Sequence, residues 1–307
     1  MLPWVPGFSL AIGVVGASFS SILIKLLDGV PPIIIAFYRL GLTALILAPL
    51  ALWRYGRELR ALGRRDWLLS ALGGLFLAGH FAAWITSLEY TSVASSVVLV
   101  TLQPLFVLAG GYLLYREGTT RIGLIGVGAA LVGAIVIGLG DSGGGSRVLL
   151  GDGLAFLGAV LVAGYILVGR SVRQRVGVIP YAFLVYAICA GILLVVALAL
   201  GLPVGGYNSP QWLLFWLLAI VPTIFGHTLF NFALGHLPAA VVSVAILGEP
   251  LGASILAALL LHQSPTTTQF VGGGLILGGL YLFLRYSQGS AVRAQAAPPG
   301  RAEEAGA

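Results

Sequence analysis

Long apolar runs separated by short breaks of charged and turn-forming residues set the pattern of this chain. Reading runs against breaks predicts segments near residues 7–27, 32–53, 67–88, 93–115 and 120–140, then 151–171, 179–200, 211–235, 238–261 and 268–286. Runs of about 20 apolar residues are the length a helix needs to cross a bilayer, whereas barrel strands would alternate over about ten. The prediction is therefore an all-α integral membrane protein of ten transmembrane helices. The first run lacks a basic leader and reaches Lys25 without a small-residue cleavage site, so it is read as a span and not as a signal peptide.

Two runs are interrupted alike. Val100-Thr101-Leu102-Gln103-Pro104-Leu105 and Ile246-Leu247-Gly248-Glu249-Pro250-Leu251 each place a polar side chain directly before a proline. The proline removes a backbone donor and kinks the helix, and an ionisable group inside a span marks a functional site by default. The echo extends further. A shift of 146 places lays Leu88, Ala94, Val98, Pro104, Leu105, Gly126, Gly128 and Gly133 onto identical residues of the second half. Small changes of register add Gly79-His80 with Gly226-His227, and Lys25 with Arg170. The chain reads as a duplicated five-helix unit, residues 1–145 and 146–286, with Asp141 to Arg147 as the hinge between copies. Because five is odd, the second copy enters the membrane from the opposite face. Such inverted repeats typify secondary transporters, whose substrate sites lie near the midplane between the halves.

Composition agrees with the pattern. Of the 307 residues 59% are hydrophobic and 8% charged, too little polar surface for a soluble globule. The net charge of +6 does not indicate nucleic acid, because the basic residues stand in short loops beside apolar runs. Arg54, Arg57, Arg60, Arg64, Arg65, Arg116, Arg121, Arg170, Arg173, Arg175, Arg285, Arg293 and Arg301 all fall on one side of a ten-span topology. Positive loops face the cytoplasm, so both termini are expected there, in a bacterial cytoplasmic membrane. The segment 287–307, rich in alanine, glycine, proline and charge, reads as a disordered tail.

The residues that could carry chemistry are few. His80 and Trp84 share a helix face at a spacing of four, and His227 and Asn231 repeat it. Gln103 and Glu249 are repeat counterparts expected near the pseudo-twofold axis, either bonding backbone freed by the prolines or receiving cargo. Pro104 and Pro250 are candidate kinks for gating. Tyr38, Tyr165 and Tyr186 lie within spans, at depths where a hydroxyl needs a partner. Arg39, near the outer end of the second span and next to Tyr38, is expected to snorkel, with pairing to a carboxylate as the alternative. No metal-ligand spacing, phosphate loop with its lysine, or Ser-His-Asp set accompanies them, so neither cofactor nor catalytic residue is predicted. The partners expected are the lipid bilayer and a small-molecule substrate, with no nucleic acid, and two fused halves suffice as a monomer.

With Leu88-Glu89-Tyr90-Thr91-Ser92, Gln103-Pro104, Arg116-Glu117, Leu234-Gly235-His236-Leu237-Pro238, Glu249-Pro250, Gly272 and Gly279 in view, the chain resembles the drug/metabolite transporter superfamily and its ten-helix EamA-type exporters. Among these it is most similar to bacterial exporters of aromatic amino acids. Gln263 departs from the pattern, since the family repeats there the glutamate seen at Glu117. The resemblance implies export of small metabolites by alternating access, with aromatic or bulky apolar amino acids first and drugs or nucleosides as the alternative. A membrane enzyme would need a catalytic cluster at an interface, for which the loops offer only arginines, scattered acids, His236 and His262.

Overall fold

The computed structural model describes residues 4–91, 93–139, 146–260 and 266–296, and no strand occurs among them. The hinge glycines, Gln263 and His262 lie outside the described residues. In chain order, and apart from the short helix Gly56–Ala61, the helices are α1 (Val5–Lys25), α2 (Pro32–Arg54), α3 (Arg64–Tyr90), α4 (Val93–Val100 and Gln103–Tyr115), α5 (Arg121–Leu139) and α6 (Ser146–Val172). Then come α7 (Val178–Ala199), α8 (Ser209–Leu234), α9 (Ala239–Ala245 and Glu249–Leu260) and α10 (Thr267–Ala296). Eight of them, α1–α4 and α6–α9, are long and apolar enough to cross a membrane, while α5 and α10 contribute the shorter apolar stretches Arg121–Ile137 and Phe270–Tyr286. The segment read as a disordered tail from residue 287 begins as helix, because α10 continues to Ala296. Alanine, glutamine and arginine there are good helix formers that extend a helix already nucleated in the bundle.

Outward faces are apolar. Leu45, Leu68, Ile125, Val195, Leu213 and Leu259 are all exposed, which suits contact with lipid and not with water. Inside, α3 packs on α6, α2 on α7, α1 on α8, and α5 on α10. The last pair shows why its glycines are needed. A β-carbon on Gly126 would stand 2.6 Å from the carbonyl oxygen of Gly279, and one on Gly133 would stand 2.5 Å from that of Gly272. Residue numbers rise along one helix as they fall along the other, so α5 and α10 cross antiparallel with backbones in contact.

Each interrupted helix breaks where its proline predicts. Pro104 and Pro250 occupy the second position of new helical segments that begin at Gln103 and Glu249. There the missing N–H costs nothing and the fixed φ suits the helix. In α9 the join is a single 3₁₀ turn, Ile246–Gly248, and the amide of Glu249 donates to the carbonyl of Ile246, which would otherwise be orphaned. α8 is irregular in another way. Its middle, Ala219–Thr228, is wound as a π-helix around Pro222.

Candidate functional site

The two breaks and the π-helical stretch face one interior cavity of about 40 Å³, room for a water or two. Its wall is drawn from both halves of the chain: Ala17 and Ser20 on α1, Arg39 on α2, His80 and Trp84 on α3, and Val100, Thr101 and Gln103 at the break in α4. The second half adds Val162 on α6, His227 and Phe230 on α8, and Ile246 and Glu249 at the break in α9. Gln103 and Glu249 are thus presented in the first turns of half-helices, where the macrodipole favours a carboxylate.

Arg39 is the residue that sequence reading misplaced. It does not snorkel: it is 1% exposed, among the largest fully buried side chains. Its Nε donates to Thr223 Oγ1 at 2.9 Å, its Nη1 donates to Ser20 Oγ at 2.6 Å, and the guanidinium lies 4.3 Å from the centre of the Phe81 ring. These partners are neutral. Among the described residues Arg39 makes no ion pair, although Glu249 lies on the same wall. The signal available in the sequence was an arginine eight residues into α2, too far from either end to be only an anchor.

The histidines are held differently. Nδ1–H of His80 donates to the carbonyl of Gly158 at 2.9 Å, and its ring stacks on Trp84 at 5.9 Å between centroids. Because a carbonyl only accepts, this bond fixes the tautomer and leaves Nε2 as acceptor. His227 rests among Phe81, Phe230 and Tyr165. Two further polar atoms of the wall lack partners: Nε1 of Trp84 and Oε1 of Gln103 are buried with no hydrogen bond.

Of the residues singled out from sequence, His80, Trp84, Gln103, His227 and Glu249 therefore meet on one wall. Four others stand off it. Tyr165 donates to Asn231 Oδ1 at 2.8 Å, Asn231 Nδ2 donates to the Tyr186 hydroxyl at 3.2 Å, and that hydroxyl pairs with Thr228 Oγ1 at 3.1 Å. The chain of bonds is buried behind the cavity and satisfies its own members. Tyr38 is farther away, bonded to the carbonyl of Val204 and stacked on Phe215 at 4.5 Å in an aromatic cluster with Tyr207 and Trp212.

At the arginine-rich end the halves are tied. Arg170 Nε meets Glu117 Oε1 at 2.9 Å, the amide of Ala239 donates to the other oxygen of Glu117 at 3.1 Å, and Arg175 meets Asp66 at 2.7 Å. Glu117 thus bridges the halves through both of its carboxylate oxygens.

Compared with known proteins, the EamA-like transporter family matches the chain twice, over residues 6–139 and 149–285. The chain belongs to that family. It is a multi-pass membrane transporter. Similar chains include an uncharacterized transporter of Archaeoglobus fulgidus, 26% identical over 86% of this chain and 91% of its own length. An uncharacterized transporter of Synechocystis is 28% identical over 87% of this chain and 78% of its own length. One solved crystal structure superposes with a TM-score of 0.76 at 18% identity, covering 92% of this chain and 97% of that one, a likeness of fold.

Proposed function

We propose that this EamA-family transporter exports small metabolites, with aromatic or bulky apolar amino acids as leading cargo, by alternating access between two inverted five-helix repeats spanning the membrane ten times. The observation that carries the reading is the cavity wall. Residues of both halves join an apolar and aromatic side, from Trp84, Val100, Val162, Phe230 and Ile246, to a few convergent polar groups, the composition of a small-molecule site. The present cavity is too small for an amino acid, so loading requires the halves to part.

Several regularities support inverted repeats. The same family matches each half once. Exchanging the halves turns the packing of α3 on α6 into that of α8 on α1, and leaves α2–α7 and α5–α10 unchanged. The glycine contacts 126–279 and 133–272 are likewise exchanged by the shift of 146 places, as a twofold axis across antiparallel helices requires. The arginine asymmetry between loops supports cytoplasmic termini.

Purified protein in liposomes loaded with phenylalanine or tryptophan is expected to release them faster than protein-free liposomes. Release equal to the protein-free rate, with nucleosides or cationic drugs released instead, would move the cargo to that class.

A further inference from the structure

The cavity holds one buried cation, one carboxylate and two unsatisfied polar atoms, and we propose that together they form a clamp for a zwitterion. Arg39 and the indole N–H of Trp84 receive the carboxylate of an α-amino acid, while Glu249 and Oε1 of Gln103 receive its ammonium. The proposal rests on the amino-acid reading above and gives it a polarity and a rule of selection.

The argument starts from cost. Burying a guanidinium without an ionic partner is expensive, and hydroxyls and an aromatic face offset only part of it. Among the described residues the guanidinium bonds only Ser20 and Thr223 and lies over Phe81, yet a glutamate lies on the same wall beyond ion-pair distance. Two opposite charges that line one cavity without meeting are placed to receive, once the halves part, a solute that carries both. A carboxylate matches the flat fork of the guanidinium, and an ammonium matches a carboxylate and an amide oxygen.

A second observation points the same way. Trp84 is 3% exposed and Gln103 4% exposed, and in each a buried polar atom has no hydrogen bond. Leaving such groups unpaired is costly, so each calls for a partner from a ligand. The chemistry of the two is complementary: Trp84 only donates, and the Gln103 oxygen only accepts. Beside its two charges the cavity thus has a spare donor and a spare acceptor. Neither of them finds a protein partner.

A zwitterion adds no net charge to the cavity, whereas an amine or an acid leaves one protein charge buried and unmatched. The rule of selection follows. Phenylalanine should be carried in preference to phenethylamine, which lacks the carboxylate, and to 3-phenylpropionate, which lacks the ammonium.

The full chain in proteoliposomes tests this with those three solutes and with leucine, each alone and in competition. Wild type is expected to carry the zwitterions about tenfold to a hundredfold faster than the singly charged analogues. Arg39→Gln should selectively narrow the advantage over phenethylamine, and Glu249→Gln the advantage over 3-phenylpropionate. Thermal melting in detergent identifies a variant that fails to fold, and the wild-type panel decides the matter without any variant. If phenylalanine or leucine is carried but the singly charged analogues are carried equally well, the clamp is overturned and the cargo reading stands. If no zwitterion is carried while other solutes are, both fall.

Discussion

At the scale of single residues, the structure separates groups that face the cavity from groups that support it. Asn231 accepts from Tyr165 and donates to Tyr186, so both the oxygen and the nitrogen of its amide are engaged by neighbours. Asn231→Ala would leave two buried hydroxyls short of partners, of which Tyr186 keeps Thr228. The expected loss is about 2 kcal/mol of stability, and Tyr165→Phe should cost about 1 kcal/mol. Both should retain transport per folded molecule. Melting curves in detergent and efflux normalised to folded protein check this; Tyr165→Phe that melts as wild type but fails to transport would place the tyrosine in the cargo path instead. His80, Gln103 and Glu249 were legible in the sequence because a polar group in an apolar run must face protein or cargo. Arg39 was not. A long apolar stem allows snorkelling, and what decides against it, Ser20 and Thr223, comes from α1 and α8, remote in sequence.

At the scale of helices, glycine position is the sharpest constraint. Beside Gly126 stand the oxygen of Gly279 and the backbone nitrogen of Phe283, at 2.6 and 2.8 Å from a built β-carbon, and backbone cannot step aside as a side chain can. Gly128, two residues on, has nothing within 4 Å. Gly126→Ala and Gly133→Ala should therefore destabilise by about 1–3 kcal/mol, as overpacking does. Gly128→Ala, which gains helix propensity at no steric cost, should be neutral or stabilising. Equal melting temperatures for the three would refute close contact between α5 and α10. The same glycines were visible in the sequence as an aligned repeat, but their pairing across helices was not, since the pattern says that backbones approach and not which. The breaks in α4 and α9 were legible because a proline cannot donate. The π-helical winding of Ala219–Thr228 was not: Pro222 signals disruption of α8 without saying that the turn widens.

At the scale of the whole molecule, the two ends of the bundle are closed by unequal ties. Lys25 Nζ donates to the carbonyl of Leu88 at 2.9 Å, and Arg170 Nη1 donates to that of Leu234 at 3.1 Å, residues matched by the repeat. Arg170 has in addition the carboxylate of Glu117, which also accepts the amide of Ala239 across the halves. Their side chains are 21% and 16% exposed, so the charged pair is partly screened and worth about 1–2 kcal/mol. Removing it should favour opening at the arginine-rich end by roughly tenfold in population, since 1.4 kcal/mol is a factor of ten. The test uses Val162→Cys on the cavity wall in a Cys189→Ala background, which removes the chain's one native cysteine. A membrane-impermeant thiol reagent is then applied from either face. Glu117→Gln should accelerate labelling from the arginine-rich face and slow it from the other if, as proposed, one alternating-access equilibrium governs both openings. Faster labelling from both faces would indicate loosening of the bundle, and unchanged rates would show that Glu117 does not hold the halves together. Arg170→Lys, which keeps the charge but loses the forked geometry, should fall between wild type and Glu117→Gln.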